Sequence, residues 1–418
     1  MKFTVERDAL AEALTWVARA LPARPVLPVL AGLQLGAARE PKQEGAAEPG
    51  PAGAGFLTLS CFDYEVSARV RVRASVTEPG TALVPGRLLV EIVRSLPQHP
   101  VEFADDPDGV SMTCGDAAFM LTPLPLAEYP ELPDLPQLAG TADGGALAAA
   151  IAQVTPAASR DDTLPMLTAV NVELAGKTMT LAATDRYRLA VRELDWNPAP
   201  GTGQPGRIAL LVPARTLSDA ARMMSHDADV RIVLRHGGDG PGGGSPDLAS
   251  AGPARAVSAE AMIGFEAGGR RLTTRLLAGE FVRYRSRFPE EFGCTADLPA
   301  EAFAEAVRRV ALVAERGTPV QLTFAPGRVT VAGATQGQAK AKESLPADFS
   351  GTEPSIAFSP QYLLDGVVAA TAQQPGEDAQ QAARIRLRFT SATKPAVITP
   401  AAANGGDFRY LVVPQRVL

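Results

Sequence analysis

Apolar residues recur at steps of three and four positions in three separate stretches of the chain. The first stretch places Leu10, Leu14, Val17 and Leu21 on one helical face. The same spacing returns twice, at Leu147, Ile151, Val154 and Ala158, and at Phe303, Val307, Val310 and Ala314. One-sided stripes of this kind predict three amphipathic helices that each lie on a sheet. Asp8 is a candidate N-cap for the first of them.

Strand-like alternation follows each of these helices. Matching short segments stand at 57–60, 179–182 and 329–332. In the first copy the period of two continues through Val66, Ala68, Val70 and Val72, which indicates a half-buried strand. A second helix is predicted in each copy, marked by the matching segments 84–89 and 212–217 and by the weaker third copy 358–363. The order helix, strands, helix, strands predicts an α+β unit in which two helices pack on an antiparallel sheet.

The order of elements repeats, and so do parts of the sequence. Leu27-Pro28-Val29-Leu30 follows the first helix, and Leu164-Pro165-Met166-Leu167 stands at the same place after its counterpart. A third, more diverged copy begins near Ala302. Internal repetition of this kind predicts an architecture of similar units. We predict three domains, at 1–138, 139–290 and 291–418. Repetition alone leaves open whether the domains merely follow one another along the chain.

Two insertions interrupt the repeat, at 40–55 and 237–253. Both are rich in glycine and proline and poor in apolar residues, which predicts surface loops. The glycines of the second are not followed by the Gly-Lys-Ser/Thr of a phosphate-binding loop, so no nucleotide site is predicted there.

Composition and charge narrow the class of protein. The chain has 418 residues, of which 46% are hydrophobic and 21% charged, as in globular proteins. The net charge of −6 argues against a protein that grips DNA over its whole surface, so any DNA contact should be confined to a local patch, or DNA binding should not depend mainly on affinity. Cys61, Cys114 and Cys294 are far apart, which favours a reducing cytoplasm over a disulfide framework or a zinc site.

The sequence shows no catalytic grouping. His99, His226 and His236 are scattered, and neither a metal-binding spacing nor a nucleophile motif is present. We therefore predict no enzymatic activity, no cofactor and no metal.

Several segments together resemble one family, the bacterial DNA sliding clamp, which is the β subunit of DNA polymerase III. They are Met1-Lys2-Phe3-Thr4-Val5-Glu6-Arg7, Phe62-Asp63-Tyr64-Glu65-Val66, Ala127-Glu128-Tyr129-Pro130, Ala183-Thr184-Asp185-Arg186-Tyr187-Arg188-Leu189-Ala190 and Arg409-Tyr410-Leu411-Val412-Val413-Pro414. The resemblance implies three DNA-clamp domains and a head-to-tail homodimeric ring around double-stranded DNA, without sequence preference. Such a ring is a processivity factor that tethers the replicative polymerase, the clamp loader and repair proteins through their short linear motifs. An acidic chain suits a ring that holds DNA by topology, since tight phosphate contacts would hinder sliding.

The resemblance also implies three sets of site residues. Arg24 and Arg160 are expected to face DNA. Phe119 and Leu312 are expected at the dimer interface, with packing inside the core of each chain as the alternative. The expected peptide pocket between the second and third domains comprises Thr184, Arg186, Tyr187, Arg188, Leu189, Val282, Arg287, Phe288, Leu411, Val413, Pro414 and Arg416. Leu189 and Val413 could equally be plain core residues.

The sequence departs from the family pattern within this pocket. Val282 stands where proline is usual, Arg287 where an apolar residue is usual, and the ending after Pro414 is altered. We therefore hypothesise a specialised or second clamp that keeps the ring but has altered affinity for pocket ligands, with evasion of an inhibitor that binds there as one reason for the change. The fallback is a monomeric three-domain binding protein.

Overall fold

The structure is a computed structural model that describes residues 1–40, 53–133, 136–200, 207–224, 229–235, 261–314, 317–335, 339–352, 355–372, 383–401 and 407–416. The insertion at 237–253, most of the insertion at 40–55, and His226 and His236 lie outside these residues. Among the described residues, no helix is long and apolar enough to cross a membrane.

The described residues contain six α-helices, which pack in three pairs along the chain. They are α1 (Arg7–Val17), α2 (Gly86–Ser95), α3 (Gly144–Val154), α4 (Ala214–Ala221), α5 (Ala300–Ala311) and α6 (Pro360–Thr371). The predicted stripes are confirmed, since Leu10, Leu147 and Phe303 are all fully buried. The prediction for Asp8 is wrong. The helix α1 begins at Arg7, directly after a strand, so Asp8 lies inside the first turn and accepts a hydrogen bond from the Arg7 guanidinium at 2.8 Å.

The strands of the described residues belong mostly to antiparallel pairs. In chain order they are β1 (Lys2–Val5), β2 (Gly32–Arg39), β3 (Ala54–Phe62), β4 (Val66–Glu78), β5 (Gly80–Pro85), β6 (Val101–Asp106), β7 (Gly109–Cys114), β8 (Ala117–Leu121), β9 (Gln137–Asp143), β10 (Ala169–Ala175), β11 (Thr178–Thr184), β12 (Arg188–Asp195), β13 (Asn197–Pro198), β14 (Ile208–Pro213), β15 (Asp229–Arg235), β16 (Met262–Ala267), β17 (Arg270–Arg275), β18 (Cys294–Pro299), β19 (Val320–Ala325), β20 (Arg328–Thr335), β21 (Ala339–Pro346), β22 (Asp348–Gly351), β23 (Ser355–Phe358), β24 (Arg384–Phe389), β25 (Ala396–Pro400) and β26 (Phe408–Val412).

A first compact unit contains residues 1–139 together with 230–235 and 261–275. Its sheet runs in the order β15-β16-β17-β4-β1-β6-β7-β8, and β3, β2 and β5 continue from β4. The helix α1 packs on β3 and β4. Because alternate residues of a strand point to opposite faces, Leu57, Leu59 and Val70 are buried beneath this helix. The strand β8 ends the sheet and pairs on one side only within the described residues.

A second compact unit contains residues 140–229 and 276–416. Its larger sheet runs β14-β10-β11-β12-β26-β25-β24-β18-β22, and a smaller one runs β21-β20-β19-β23. Pairing of β12 with β26 joins the predicted second domain to the end of the chain, with Leu189 opposite Leu411. The division at 138/139 and 290/291 remains a prediction.

Candidate functional site

Two exposed arginines follow the first helices of their repeats. Arg24 comes after the short 3₁₀ turn that extends α1, and Arg160 comes after the equivalent turn that extends α3. Among the described residues neither guanidinium has a bonding partner. Beside Arg160, the Asp161 carboxylate accepts hydrogen bonds from the hydroxyl and the N–H of Thr163, at 2.7 and 3.0 Å, and these bonds lower the pKa of Asp161. A fixed turn therefore presents Arg160 to solvent.

A tight turn between β11 and β12 carries the first part of the predicted pocket. Its Asp185 carboxylate accepts hydrogen bonds from the N–H groups of Tyr187 and Arg188, both at 3.0 Å. Arg186 has a φ of 81°, in the left-handed region that side chains other than glycine rarely adopt. The first repeat contains the same turn, in which Asp63 accepts from the two equivalent N–H groups. The turn is thus part of the repeated unit.

At the place of the predicted pocket lies an apolar cluster, called its floor below, built from three distant stretches of chain. Its buried members are Ala182, Leu189, Val191, Tyr284 and Leu411, and the partly buried Phe281, Phe288 and Val413 pack against them. A hydrogen bond from the Val413 N–H to the Tyr187 carbonyl, 2.8 Å long, ties the terminal stretch to the turn. Leu189 and Leu411 are therefore core residues that also form the floor.

The rim is more polar and more exposed than the floor. Tyr187 is 51% exposed and Val282 is 40% exposed. Arg186, Arg287 and Arg416 are also exposed, whereas Thr184 is buried and donates its hydroxyl to the Arg188 carbonyl at 2.6 Å; Pro414 is half-buried. An apolar floor with a polar rim is the arrangement that captures an extended peptide.

Arg188 is held by neighbours that the sequence did not single out. Its guanidinium bonds to the carboxylates of Asp185, at 2.9 Å, and of Asp365 on α6. It also lies over the ring of Tyr362, 4.5 Å from the centroid, and Tyr187 stacks on the same ring. Burial alone would lower the pKa of Arg188, but Tyr410, Asp365 and Asp185 raise it. Arg188 therefore ties β12 to α6 beside the predicted pocket.

A buried carboxylate holds the segment 281–288, which carries Val282 and Arg287 of the rim and is called the rim segment below. Glu173 on β10 accepts hydrogen bonds from Arg207 (2.8 Å), Arg285 (2.7 Å) and Asn171 (3.0 Å). Burial raises the pKa of Glu173, but the hydrogen bonds from the two arginines more than offset this and lower it overall. Arg285 stands within the rim segment, next to buried Tyr284. No spacing in the sequence reveals this network, because its members come from separate elements.

The two residues expected at the dimer interface are both at least partly exposed to solvent. Phe119 is half-buried in β8, the last strand of the first unit's sheet. Leu312 follows the last residue of α5 and is 84% exposed. Packing of Leu312 within the core of its own chain is therefore excluded.

Three family models cover most of the chain. The N-terminal domain of the DNA polymerase III beta subunit matches residues 1–42 and 52–133, the central domain matches 142–282, and the C-terminal domain matches 285–416. The chain belongs to this family. The resemblance seen in its sequence motifs is confirmed, and with it the fold of helix pairs on antiparallel sheets and the function of a DNA sliding clamp.

Relatives of full length support this assignment. The beta sliding clamp of Streptomyces coelicolor is 44% identical over 422 residues and covers 100% of both chains. The beta sliding clamp homolog GriR of Streptomyces muensis is 39% identical and covers 100% of this chain and 99% of its own. A crystal structure of the Pseudomonas aeruginosa sliding clamp bound to griselimycin has a TM-score of 0.80 with 24% identity, over 100% of both chains.

Proposed function

We propose that two copies of this clamp close head to tail into a ring around duplex DNA and hold a DNA polymerase on its template. The observation that carries this proposal is that β8 and β21 are both end strands of their sheets. Within the described residues β8 pairs only with β7, and β21 pairs only with β20. Edge strands left open invite pairing with another chain, and joining β8 of one copy to β21 of the other would close both.

The charges near the two edges favour this head-to-tail arrangement. The strand β21 carries the exposed Lys340 and Lys342, whereas Asp116 precedes β8 and Asp106 and Asp108 lie at the neighbouring turn. Opposite charges would therefore meet when β21 approaches β8, and like charges would meet when identical edges approach each other.

A loading experiment tests the function directly. The clamp is loaded with a clamp loader onto a nicked circular plasmid and onto the same plasmid made linear. We expect retention on the circle and rapid loss from the linear form, because a ring slides off free ends. Equal loss from both DNA forms would contradict topological binding.

Arg24 and Arg160 are proposed to touch the phosphates of the enclosed duplex. Replacing both by alanine should weaken duplex binding at low salt and reduce the slope of log affinity against log salt by about 3.6, since the ring of two copies loses four phosphate contacts at about 0.9 each. Anisotropy titrations at several salt concentrations measure this. Arg384→Ala is the matched control, since that exposed arginine is already paired with Asp348. An unchanged slope in the double variant would remove the assignment.

The pocket is proposed to take short linear peptides of polymerases, the clamp loader and repair proteins. The residues proposed to form the pocket are Thr184, Arg186, Tyr187, Arg188, Leu189, Val282, Arg287, Phe288, Leu411, Val413, Pro414 and Arg416. The apolar floor supplies anchoring area for the apolar side chains of an extended peptide.

We further propose that this clamp is a specialised copy with an altered pocket that confers resistance to a clamp-binding inhibitor. Two observations support this: the exposure of Val282 and Arg287 at the rim, and the likeness to a clamp homolog named GriR. A sliding clamp can bind griselimycin, as the Pseudomonas aeruginosa structure demonstrates for that protein.

Restoring the family residues tests the specialisation. Val282→Pro/Arg287→Leu should bind a fluorescent clamp-binding peptide roughly tenfold more tightly, since an apolar side chain in place of a charge adds about 1 to 2 kcal/mol of contact. Arg283→Leu, in the same segment, is the control for a general gain of hydrophobic surface. Equal dissociation constants for the wild type and the double variant would end the proposal.

Two finer points belong to the same proposal. The family is that of a polymerase's processivity subunit, so we propose that this chain has no catalytic activity of its own. We also propose that it works in the cytoplasm, where bacterial chromosomes are copied. Polymerase extension assays with and without the clamp would show longer products but no synthesis by the clamp alone.

A further inference from the structure

One face of the first unit's sheet is rich in arginine. In β4, Arg69, Arg71 and Arg73 alternate with Ala68 and Val70, which are buried on the side where α1 packs. Because side chains alternate between the two faces of a strand, the three arginines point away from the helix.

Strand pairing extends this face across three further strands. Arg69 stands opposite Arg271 of β17, Arg271 opposite Glu266 of β16, and Glu266 opposite Arg231 of β15. The term arginine face is used below for Arg69, Arg71, Arg73, Arg231, Arg271 and Arg275. Two carboxylates share this face within the described strands: Glu266 of β16, and the exposed Asp229 of β15, two residues from Arg231. A strongly positive surface thus exists on a chain whose net charge is −6.

The charges of this face are not balanced within the protein. Glu266 already pairs with Arg271, at 2.5 Å, and lies 3.8 Å from Arg231. Arg69 has no hydrogen bond or ion pair with another described residue, and its Nε is buried without a partner. Like charges directly opposite each other destabilise a sheet. Burial and the neighbouring Arg271 lower the pKa of Arg69, which is consistent with this repulsion. An external anion would relieve it.

The surroundings of the arginines decide which kind of anion fits. Protein interfaces depend on exposed apolar and aromatic anchors. This face offers none among the large exposed apolar residues: Val233 is buried, and Phe56 lies beneath the Arg71 guanidinium at 4.2 Å. A phosphate backbone needs only charge and hydrogen-bond donors, and the guanidinium fork suits phosphate oxygens. An acidic protein partner is therefore disfavoured.

We propose that the arginine face binds the phosphate backbone of single-stranded nucleic acid, without sequence preference. The line of Arg69, Arg71 and Arg73 advances by about 7 Å per arginine along an extended strand, which a flexible single strand can follow. A rigid duplex would touch a flat sheet only over a narrow width. The proposal rests on the proposed clamp function in one respect: the single strand on the arginine face is a second nucleic acid, separate from the duplex that the ring encloses.

The test uses a covalently closed circle of single-stranded DNA, without a clamp loader. A closed circle cannot be threaded through a closed ring, so its binding reports an outer surface. We expect the wild-type dimer to bind a fluorescent circle at low salt. Arg69→Gln/Arg73→Gln should bind about tenfold more weakly, and its salt slope should fall by about 1.4, at about 0.7 for each lost phosphate contact on a single strand.

The chain provides a matched control for general loss of charge. The strand β24 has the same alternation of arginines, but Arg386 forms two hydrogen bonds with Asp297 and Arg384 pairs with Asp348. Arg384→Gln/Arg386→Gln should therefore leave circle binding unchanged. An equal loss in both double variants, or no loss in either, would overturn the proposal.

Further measurements separate the remaining outcomes. A competition experiment separates nucleic acid from an acidic protein partner. If polyglutamate displaces the circle more effectively than unlabelled single-stranded DNA does, the partner is an acidic protein and the inference is contradicted.

Arg71→Gln/Arg73→Gln, both at exposed positions, serves as a second variant if the first fails to fold. Retention on the nicked plasmid should be unchanged in either variant. Loss of plasmid retention by the wild type would refute the clamp function, whereas lack of circle binding would refute only the arginine face.

Discussion

Replacing Leu312 by aspartate should convert the dimeric clamp into monomers at micromolar concentration. Leu312 is 84% exposed at the end of α5, and burying a leucine is worth about 1.5 to 3 kcal/mol. A closed ring of two chains contains this contact twice, so the substitution should remove roughly 3 to 6 kcal/mol, a hundredfold to ten-thousandfold change in Kd. Sedimentation velocity and native mass spectrometry across a dilution series measure the change.

The control for this variant is Leu88→Asp. Leu88 is also an exposed leucine, on α2, and carries no interface role in the proposal. It should leave the dimer intact. If the wild-type protein is itself a monomer, or if Leu312→Asp dimerises as tightly as the wild type, the ring is ruled out and the three-domain monomeric binding protein becomes the better description.

The fold was largely predictable because its signals are local and repeated. The apolar stripes that begin at Leu10, Leu147 and Phe303 follow from helical geometry alone, and the alternation through Val70 follows from strand geometry. Helix ends were less predictable. Asp8 has the right chemistry for a cap, but the chain enters α1 directly from β1, so the helix begins one residue before it.

The candidate site was predictable only where resemblance supplied the residues. The cluster around Leu189 and Leu411 joins stretches that are far apart in sequence, and no periodicity connects them. The partners of Arg188 were missed for the same reason, because Asp365 lies on α6 and meets Arg188 only through the pairing of β12 with β26. The burial and the two arginine partners of Glu173 could not be predicted from the sequence. A single glutamate within an apolar strand is expected to face solvent, and Arg207 and Arg285 come from other parts of the chain.

Removing the Glu173 carboxylate should destabilise the protein and loosen the pocket rim together. Glu173→Ala takes the acceptor away from Arg207 and Arg285, and loss of one partner of a buried ion pair typically costs 3 to 5 kcal/mol. We expect about 3 kcal/mol at pH 7, at the lower end, because both arginines are half-exposed and can be rehydrated. Thermal and urea unfolding measure this. Peptide affinity should fall as well, since Arg285 anchors the segment that carries Val282.

The pH dependence of Glu173→Gln distinguishes the charge from the shape of this side chain. The pKa of Glu173 is lowered in the folded protein, so its ionised form adds stability that is present above the ordinary glutamate pKa of about 4.3 and is lost as the pH falls through the lowered value. The difference in Tm between wild type and Glu173→Gln should therefore be full near pH 6 and shrink below pH 4.3. Glu193→Gln is the matched control, because Glu193 forms an exposed pair with Arg409 at 3.4 Å that should contribute less than about 1 kcal/mol. If the two variants unfold alike at every pH, the carboxylate beneath the rim is not what holds the pocket wall in place.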